Sequence, residues 1–493
     1  MTVKMLINAV DEEEYRVALV KEGMLDGFYI ETATAEEQVG NIYKGLVERV
    51  EPALQACFVN FGSEKNGFLP ANEIHPEYYM VGSGEGKNGA IPPIEKMVKK
   101  GQELLVQVTK DMPGRKGAQL TTYLSFASRY LVLMPGGGGG VSRKIEDEEE
   151  RERLKSIMDQ LKVPEGIGFI VRTAALKKGK RDLSRDMSRL LRMWKKIKKE
   201  VKDAPLPSLV HKEQDVCLRT LRDYFTSEIS EILVDDKTTF FKVKDYMKII
   251  SPRHQRRVRL YKEQEPIFAH FKIEQQIETI YSNRVPLKSG GSIVIEPTEA
   301  MISIDVNSGR SRGERNIENT AFKTNLEAVS EIARQLRLRD MGGLVVIDFI
   351  DMKDKRHIRE IEKLLREETK ADRAKIAMSH ISKFGLLELS RQRLRPSVES
   401  RSYQTCRYCN GRGLVQSVES ASVYFLRRIW QGISKKGVVQ VKGTLPLEVA
   451  TYLQNKKRKE IFQLEARYGI DILLQGDPLL APGKGELEFI NEA

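Results

Sequence analysis

Two aspartates, Asp305 and Asp348, each stand at the end of a segment whose pattern predicts a β-strand. Apolar residues alternate with polar ones before Asp305, and a wholly apolar run at 344–347 directly precedes Asp348. If the two strands are parallel neighbours, both carboxylates lie at one sheet edge, with Asn307 beside them. Two close carboxylates repel each other unless a cation lies between them, and Mg²⁺ prefers oxygen ligands. The pattern therefore favours a magnesium site, and the alternative is a pair of ordinary strand-end residues that cap turns.

The elements that must position these aspartates are a strand, a helix and a second strand. Apolar residues recur at three- and four-residue steps from Phe322 to Leu336, which predicts one amphipathic helix over 317–339. Glycine-containing turns flank this segment on both sides. A strand–helix–strand crossover makes its two strands parallel. We therefore expect an α/β sheet whose carboxyl edge carries both Asp305 and Asp348.

Composition narrows the class of partner. The chain has 493 residues, enough for several domains, and its 82 Lys and Arg exceed its 69 Asp and Glu. A positive excess of this size favours a polyanionic partner, either nucleic acid or anionic lipid. Lipid is the weaker option because we find no signal-peptide core and no apolar run long enough to span a bilayer. Four cysteines, two of them in one CxxC, suit a reducing compartment, so we expect a cytoplasmic protein.

Five segments carry a family resemblance when they are taken in order. They are DVNSG, the helix NTAFKTNLEAVSEIARQLRLRDMGG, VVIDFIDM, SHISKFGLLELSRQRLRPS and TCRYCNGRG. Together they resemble the ribonuclease E/G family, in its short ribonuclease G-like form. The resemblance implies a multidomain α/β fold with an OB-fold module inserted in an RNase H-like subdomain. The implied parts are an RNase H-like subdomain (1–35 and 215–281), the OB-fold RNA-binding module (36–124), a 5′-phosphate sensor (125–214), a catalytic DNase I-like α/β nuclease subdomain (282–400), a zinc-link (401–416) and a small α/β tail (417–493).

Residues 36–124 form the predicted OB-fold module. They read as many short strands with glycine turns. In such modules exposed aromatic rings stack on unpaired bases, and lysines contact the backbone. By analogy the expected RNA contacts are Phe58, Phe68 and Lys116. The alternative is that both phenylalanines belong to the core, as most phenylalanines do.

Arg172 and Thr173 follow a predicted strand at 168–171. An arginine fork with a neighbouring hydroxyl suits a terminal phosphate. In the family, the matching Arg-Thr pair forms a pocket for the 5′-monophosphate of RNA, together with a loop arginine (here Arg143) and backbone near Val132. Without that resemblance, Arg172 would be read as an ordinary surface arginine.

Cys406 and Cys409 form the CxxC. A structural zinc site takes four ligands, and the remaining cysteines, Cys57 and Cys217, fall in other predicted domains. A second copy of the chain could supply the missing pair across a two-fold axis, and the resemblance implies such a shared zinc in a homodimer. Arg407 stands where the family usually has proline. A reduced, metal-free turn is the alternative.

These observations lead to one functional hypothesis and one rival. The hypothesis is a magnesium-dependent endoribonuclease that cuts single-stranded RNA, favours a 5′-monophosphate and leaves 5′-phosphate products, in rRNA and tRNA processing and mRNA decay. Asp305 and Asp348 would hold the metal, and Asn307 would orient the nucleophile or phosphate. All six histidines lie outside the DVNSG segment, which disfavours a histidine acid–base ribonuclease. The rival is a non-catalytic RNA-binding or ribosome-associated protein.

Three secondary-structure predictions complete this reading. Residues 177–200 should form a basic helix. Residues 384–395, which are rich in arginine, should be helical, and residues 446–468 should form a single helix in the tail.

Overall fold

The computed structural model describes residues 2–32, 38–80, 92–110, 117–145, 147–309, 317–395, 397–434, 437–481 and 483–491. The chain divides into two compact units, residues 1–401 and 402–493. In the described part of the chain, we find no helix with both the length and the apolar character needed to cross a bilayer.

The first sheet joins the two ends of a long insertion. Strand Val3–Asn8 pairs in parallel with strand Ile229–Val234, more than two hundred residues later. The strand order is Val258–Leu260, Ile229–Val234, Val3–Asn8, Glu14–Lys21 and Met24–Thr32. Helices Val216–Tyr224, Lys237–Ile250, Ile267–His270 and Glu274–Tyr281 accompany it.

A five-stranded barrel occupies the region predicted to be the OB-fold module. Strand Ile42–Glu51 pairs both with Ala56–Asn60 and with Glu103–Lys110, and this double pairing closes the sheet on itself. Its interior is filled by alternating apolar side chains such as Val47, Val59 and Leu69. The other strands are Gly67–Pro70 and Gln119–Thr121, and Ser208–His211 adds to the outside of the first strand.

A four-stranded sheet follows the barrel in the chain. Helix Lys180–Asp203 covers it with Leu183, Met187, Leu190 and Trp194, which confirms the predicted basic helix. The strands are Phe126–Ala127, Leu131–Pro135, Ile167–Val171 and Gly140–Val141, and a second helix spans Glu148–Asp159.

A six-stranded sheet carries the predicted carboxylates. Its order is Arg284–Pro286, Ser292–Pro297, Met301–Asn307, Gly343–Asp348, Leu386–Arg391 and Ile376–Met378. Helix Ile317–Leu338 matches the prediction and packs on the sheet through Val329, Ile332 and Leu336, and helix Lys355–Thr369 adds Ile361 and Leu365.

The predicted helix at 384–395 is wrong. Residues 386–391 form a strand that pairs antiparallel with Gly343–Asp348. Leu387 and Leu389 are buried, whereas Glu388 and Ser390, which each follow one of them, are exposed, so the apolar period is two. Arg391 is buried as well and forms an ion pair with Asp372 at 2.7 Å.

The second unit is a three-stranded sheet with helices. The single helix predicted at 446–468 is wrong, because the structure has two helices, Leu447–Lys456 and Arg458–Tyr468, separated at Lys457. The strands are Asp471–Asp477, Val438–Pro446 and Glu486–Asn491, in that order, and helix Val418–Ile433 precedes them. A short helix, Val398–Ser402, lies where the two units meet in the chain.

Candidate active site

The structure brings Asp305 and Asp348 together. The strands Met301–Asn307 and Gly343–Asp348, which carry these residues near their carboxyl ends, are adjacent and parallel, and the two residues are direct partners in the register. Ile304 and Val306 are buried, so the pleat turns Asp305 to the opposite, exposed face of the sheet. Neighbouring strands lie about 4.8 Å apart, which makes the two carboxylates close neighbours at one edge.

Asn307 joins this pair directly. Its Nδ2 donates a hydrogen bond of 2.7 Å to Oδ2 of Asp305. On the neighbouring strand, burial, the charge of Asp305 and the charge of Asp351 all raise the pKa of Asp348. Asp351 is therefore a third acid at this edge, and the sequence analysis did not identify it.

The loop that carries Asp351 is held by a buried amide. Asn325, whose side chain is inaccessible to solvent, donates to the carbonyl of Ile350 at 2.9 Å and accepts from its N–H at 3.1 Å. Glu318 accepts from the N–H groups of Lys353 and Asp354, each at 3.1 Å. Sequence reasoning missed these contacts, although an asparagine on the apolar face of a helix was a usable signal.

The donor set of this edge fits magnesium. Among the residues that the structure describes, no cluster of three or more His, Cys, Asp or Glu side chains is arranged to hold a metal ion. Mg²⁺, however, commonly takes only one or two carboxylates and completes its octahedron with water and substrate oxygens. Asp305 and Asp348 supply two exposed carboxylates, whose oxygens are suitable ligands for Mg²⁺. The two negative charges repel each other, and a bound cation would relieve that repulsion.

Two hydrogen-bond acceptors hold the side chain of Arg172 in place. Its Nη1 donates to the carbonyl of Ser128 at 2.6 Å, and its Nη2 donates to Oδ1 of Asp223 at 2.7 Å. Arg222 also binds Asp223, with its Nε 3.1 Å from Oδ1. Burial alone would raise the pKa of the Asp223 carboxyl, but Arg222 and Arg172 hold it well below its usual range.

The other predicted phosphate-binding residues lie on the same small sheet. Val141 pairs with Val171 on a parallel strand, so Arg143 and Thr173 leave neighbouring strand ends, and both are exposed. Val132 lies on the next strand, opposite residue 170.

One cation near this group was missed. Burial lowers the pKa of Lys144, the nearby Asp372 raises it, and the charges of Arg373 and Arg391 lower it, so Lys144 lies within electrostatic range of Arg373. The guanidinium of Arg373 lies 3.8 Å from the ring centre of Tyr224. Arg373 is 230 residues beyond Arg143 in the chain, and no local pattern connects them.

Phe58 and Phe68 face each other on adjacent strands of the barrel. Their ring centres are 5.9 Å apart, and both side chains are half-buried, unlike the buried Phe61. The Arg49 guanidinium lies 4.8 Å from the ring centre of Phe58, and a cavity of about 780 Å³ opens beside them. The two rings are thus available at the barrel surface. Lys116 lies outside the described residues.

Cys406 and Cys409 lie in a tight turn. The N–H of Asn410 donates to the carbonyl of Cys406 at 2.8 Å. Hydrogen bonds from the N–H groups of Gly413 and Gly411 lower the pKa of the Cys409 thiol, which favours the thiolate that zinc requires. By contrast, burial raises the pKa of Cys57 to about 12. The CxxC therefore fits half of a zinc site.

Comparisons with known proteins agree with this architecture. The model described as "Ribonuclease E/G family" matches residues 125–394, "S1 RNA binding domain" matches 36–122, and "RNase E/G, Thioredoxin-like domain" matches 405–490. The S1 match and the closed barrel confirm the predicted OB-fold RNA-binding module.

Curated relatives extend the similarity over most of the chain. Ribonuclease E of Haemophilus influenzae is 48% identical over 476 residues, which are 96% of this chain and 50% of that protein. Ribonuclease E of Escherichia coli is 46% identical, over 94% of this chain and 44% of that protein. Ribonuclease G of Escherichia coli is 38% identical over 97% of this chain and 98% of that protein. The chain spans about half the length of the ribonuclease E relatives and nearly all of ribonuclease G. On these matches, the chain belongs to the ribonuclease E/G family.

Proposed function

We propose that the chain is a magnesium-dependent endoribonuclease that cuts single-stranded RNA and leaves 5′-phosphate products. The observation that supports this most strongly is the in-register pairing of Asp305 with Asp348 at one exposed sheet edge. Relatives named ribonuclease E and ribonuclease G, and the match to an RNA-binding domain, favour RNA as the substrate. The processes served would be rRNA and tRNA processing and mRNA decay.

In this proposal, Asp305 and Asp348 hold the magnesium ion. A bound magnesium ion would activate a water molecule and neutralise charge on the attacked phosphodiester. Asn307 fixes the rotamer of Asp305 through its 2.7 Å hydrogen bond. Asn325 and Glu318 hold the loop that carries Asp351, which keeps a third negative charge at a constant place beside Asp348.

We also propose that the enzyme favours RNA with a 5′-monophosphate. An arginine has five N–H donors, and Arg172 uses two groups for Ser128 and Asp223, which leaves donors for a ligand. Thr173 adds a hydroxyl, Arg143 a second cation, and the backbone near Val132 a wall. A terminal monophosphate carries more charge and more acceptor oxygens than an internal phosphodiester, so this group would bind it preferentially.

The CxxC would bind zinc jointly with the same pair of a second chain, which would make the protein a homodimer. Cys406 and Cys409 supply two thiolates, and a closed tetrahedral site needs four ligands. The lowered pKa of Cys409 is consistent with this role.

The alternative is a non-catalytic RNA-binding or ribosome-associated protein, for which the barrel and the positive charge would suffice. Cleavage of a short 5′-phosphorylated RNA with and without Mg²⁺ separates the two. The nuclease requires cleavage that depends on Mg²⁺ and is lost in Asp305→Asn. Intact RNA under both conditions, with normal RNA binding, would support the binding protein instead.

A further inference from the structure

A strongly basic cavity lies apart from the sites described above. It has a volume of about 690 Å³ and lies between the helix Lys180–Asp203 and the segment 248–254, with Arg129 and Tyr130. Eight of its lining residues are Lys or Arg, and two are Asp. Neither the carboxylate edge nor the predicted 5′-phosphate residues contribute to its lining. We call it the basic cavity.

Arg129 is the buried cation of this cavity. Only 6% of the residue is exposed, and its Nη2 donates to the carbonyl of Phe225 at 3.2 Å. Its Nε and Nη1 have no hydrogen-bond partner among the described residues and are shielded from solvent, and its guanidinium lies 4.8 Å from the ring centre of Phe225 and 5.3 Å from that of Tyr130. Burial lowers its pKa, which shows that the protein environment disfavours the charge. A buried charge without full compensation costs free energy, so an anion in the cavity would stabilise the charge of Arg129.

One wall of the basic cavity is a row of arginines. Arg181, Arg185 and Arg189 follow at four-residue steps, so they share one helix face at a rise of about 6 Å per step. None of the three forms an ion pair with a carboxylate within the described ranges.

Two acids in the lining, Asp182 and Asp186, offset only part of the positive charge of the cavity. Asp186 accepts hydrogen bonds from the hydroxyl of Ser128 and from the N–H groups of Tyr130 and Leu131, so its oxygens are already used. With eight cations against two acids, the lining keeps an excess of six positive charges. In agreement with this, burial and then the charges of Arg257, Arg129, Lys178 and Arg253 lower the pKa of His254, another lining residue.

We infer that the basic cavity is an additional RNA-binding site, in which the arginine row binds successive backbone phosphates and the buried charge of Arg129 attracts them at the bottom. The inference rests on the proposed function for the identity of the ligand. A single small anion would engage one or two of these cations, whereas the row extends over more than two helical turns. The rise per step is comparable with the separation of neighbouring phosphates along a strand. Such contacts add affinity without reading sequence.

Binding of a 5′-hydroxyl single-stranded RNA tests the inference, because this probe does not use a 5′-monophosphate pocket. We would measure fluorescence anisotropy in EDTA over a series of salt concentrations. Arg185→Ala/Arg189→Ala removes two phosphate contacts, so the slope of log K against log[salt] should become shallower by about 1.4. The matched control is Lys195→Ala/Lys199→Ala, which removes two exposed charges from the same helix outside the cavity. Equal changes of the salt slope in the two double variants would contradict a specific RNA site in the basic cavity. Wild-type RNA affinity in Arg185→Ala/Arg189→Ala would contradict it as well.

Arg129→Met separates ligand binding from a structural role. The variant loses the hydrogen bond to the Phe225 carbonyl together with a buried charge that its environment disfavours, so the Tm should change little. Loss of the positive charge should lower RNA affinity, and more so at low salt than at high salt. A lower Tm with unchanged RNA affinity would assign Arg129 to the fold and contradict the inference.

Two further outcomes are distinguishable. If inorganic triphosphate raises the Tm of wild type but not of Arg185→Ala/Arg189→Ala, and RNA affinity is equal in the two proteins, the site binds a small anion and the RNA assignment is wrong. If the wild-type protein binds no RNA at all, the proposed function itself fails. If Arg185→Ala/Arg189→Ala cleaves and binds RNA as the wild-type protein does, only the inference about the basic cavity is contradicted.

Discussion

Replacement of Arg172 by alanine should reduce cleavage of 5′-monophosphorylated RNA much more than cleavage of the same RNA with a 5′-hydroxyl. Arg172 keeps donors free for a ligand after it binds Ser128 and Asp223. A lost hydrogen bond to a charged group is worth about 1.5–3 kcal/mol, which corresponds to a loss of about 10- to 150-fold in kcat/KM. The 5′-hydroxyl substrate lacks the phosphate, so its kcat/KM should change little.

The ion pair with Asp223 dictates the controls for this variant. Arg172→Ala removes one of two arginines that bind Asp223, while Arg222 remains at 3.1 Å, so we expect a loss of about 1–3 kcal/mol in unfolding free energy. Rates must therefore be compared at a temperature where the variant is fully folded. Thr173→Val changes only an exposed hydroxyl and should give a smaller loss on the phosphorylated RNA, with normal stability.

Arg172→Lys keeps the charge but not the two-pronged geometry of the guanidinium, so it should recover only part of the preference. The refuting result is an equal loss on both RNAs in Arg172→Ala. That outcome would make Arg172 an ordinary backbone contact, since a general electrostatic effect weakens both substrates alike.

Three other predictions follow from the remaining sites. Asp305→Asn and Asp348→Asn should each abolish cleavage but leave RNA affinity within a few fold of wild type, because each removes a ligand charge and little volume. Near-normal turnover in either variant would contradict the catalytic assignment. Cys406→Ala or Cys409→Ala should release zinc and shift the protein toward monomer on a sizing column, whereas a metal-free wild-type dimer would contradict the shared site. In the folded state, Arg222 and Arg172 depress the pKa of Asp223 although burial acts in the opposite direction. The ionised Asp223 therefore adds to the free energy of unfolding above the ordinary aspartate pKa of about 3.9, and this contribution is lost as the pH falls below that value. Urea unfolding at pH 7 and pH 3 should therefore show a larger acid loss in wild type than in Asp223→Asn, and equal losses would count against the ion pair.

Local periodicity was sufficient for the centre of the fold. The period-two pattern before Asp305, the helix over 317–338 and the apolar run before Asp348 lie within one crossover, so their relative placement follows from chain connectivity. The same reasoning failed at 386–391, where arginines suggested an exposed helix. Burial of Arg391 depends on Asp372 and on the carbonyl of Met341, which are partners that no local window contains.

Contacts between distant segments account for the site residues that sequence reasoning did not find. Asn325 reads as one polar residue in a helix until the loop at residue 350 closes around it. Asp223 reads as a helix-terminal acid until Arg172 reaches it from a strand 51 residues earlier. Arg129 precedes an apolar strand, and its unpartnered donors are evident only once Phe225 and the helix Lys180–Asp203 enclose it.

One short segment supports two of the arginines that are proposed to act on RNA phosphates. Arg172 donates to Asp223, and Arg129 donates to the carbonyl of Phe225, at the end of helix Val216–Tyr224. A substitution within this segment would alter the rigid acceptors of both arginines at once, and its effect on RNA could not be assigned to either. Substitutions at side chains remote from this segment distinguish the two sites experimentally. These side chains are the exposed hydroxyl of Thr173 for the 5′-phosphate site and the arginine row for the basic cavity. Because these groups lie on other elements than this segment, differences between them report on RNA contacts and not on the shared support.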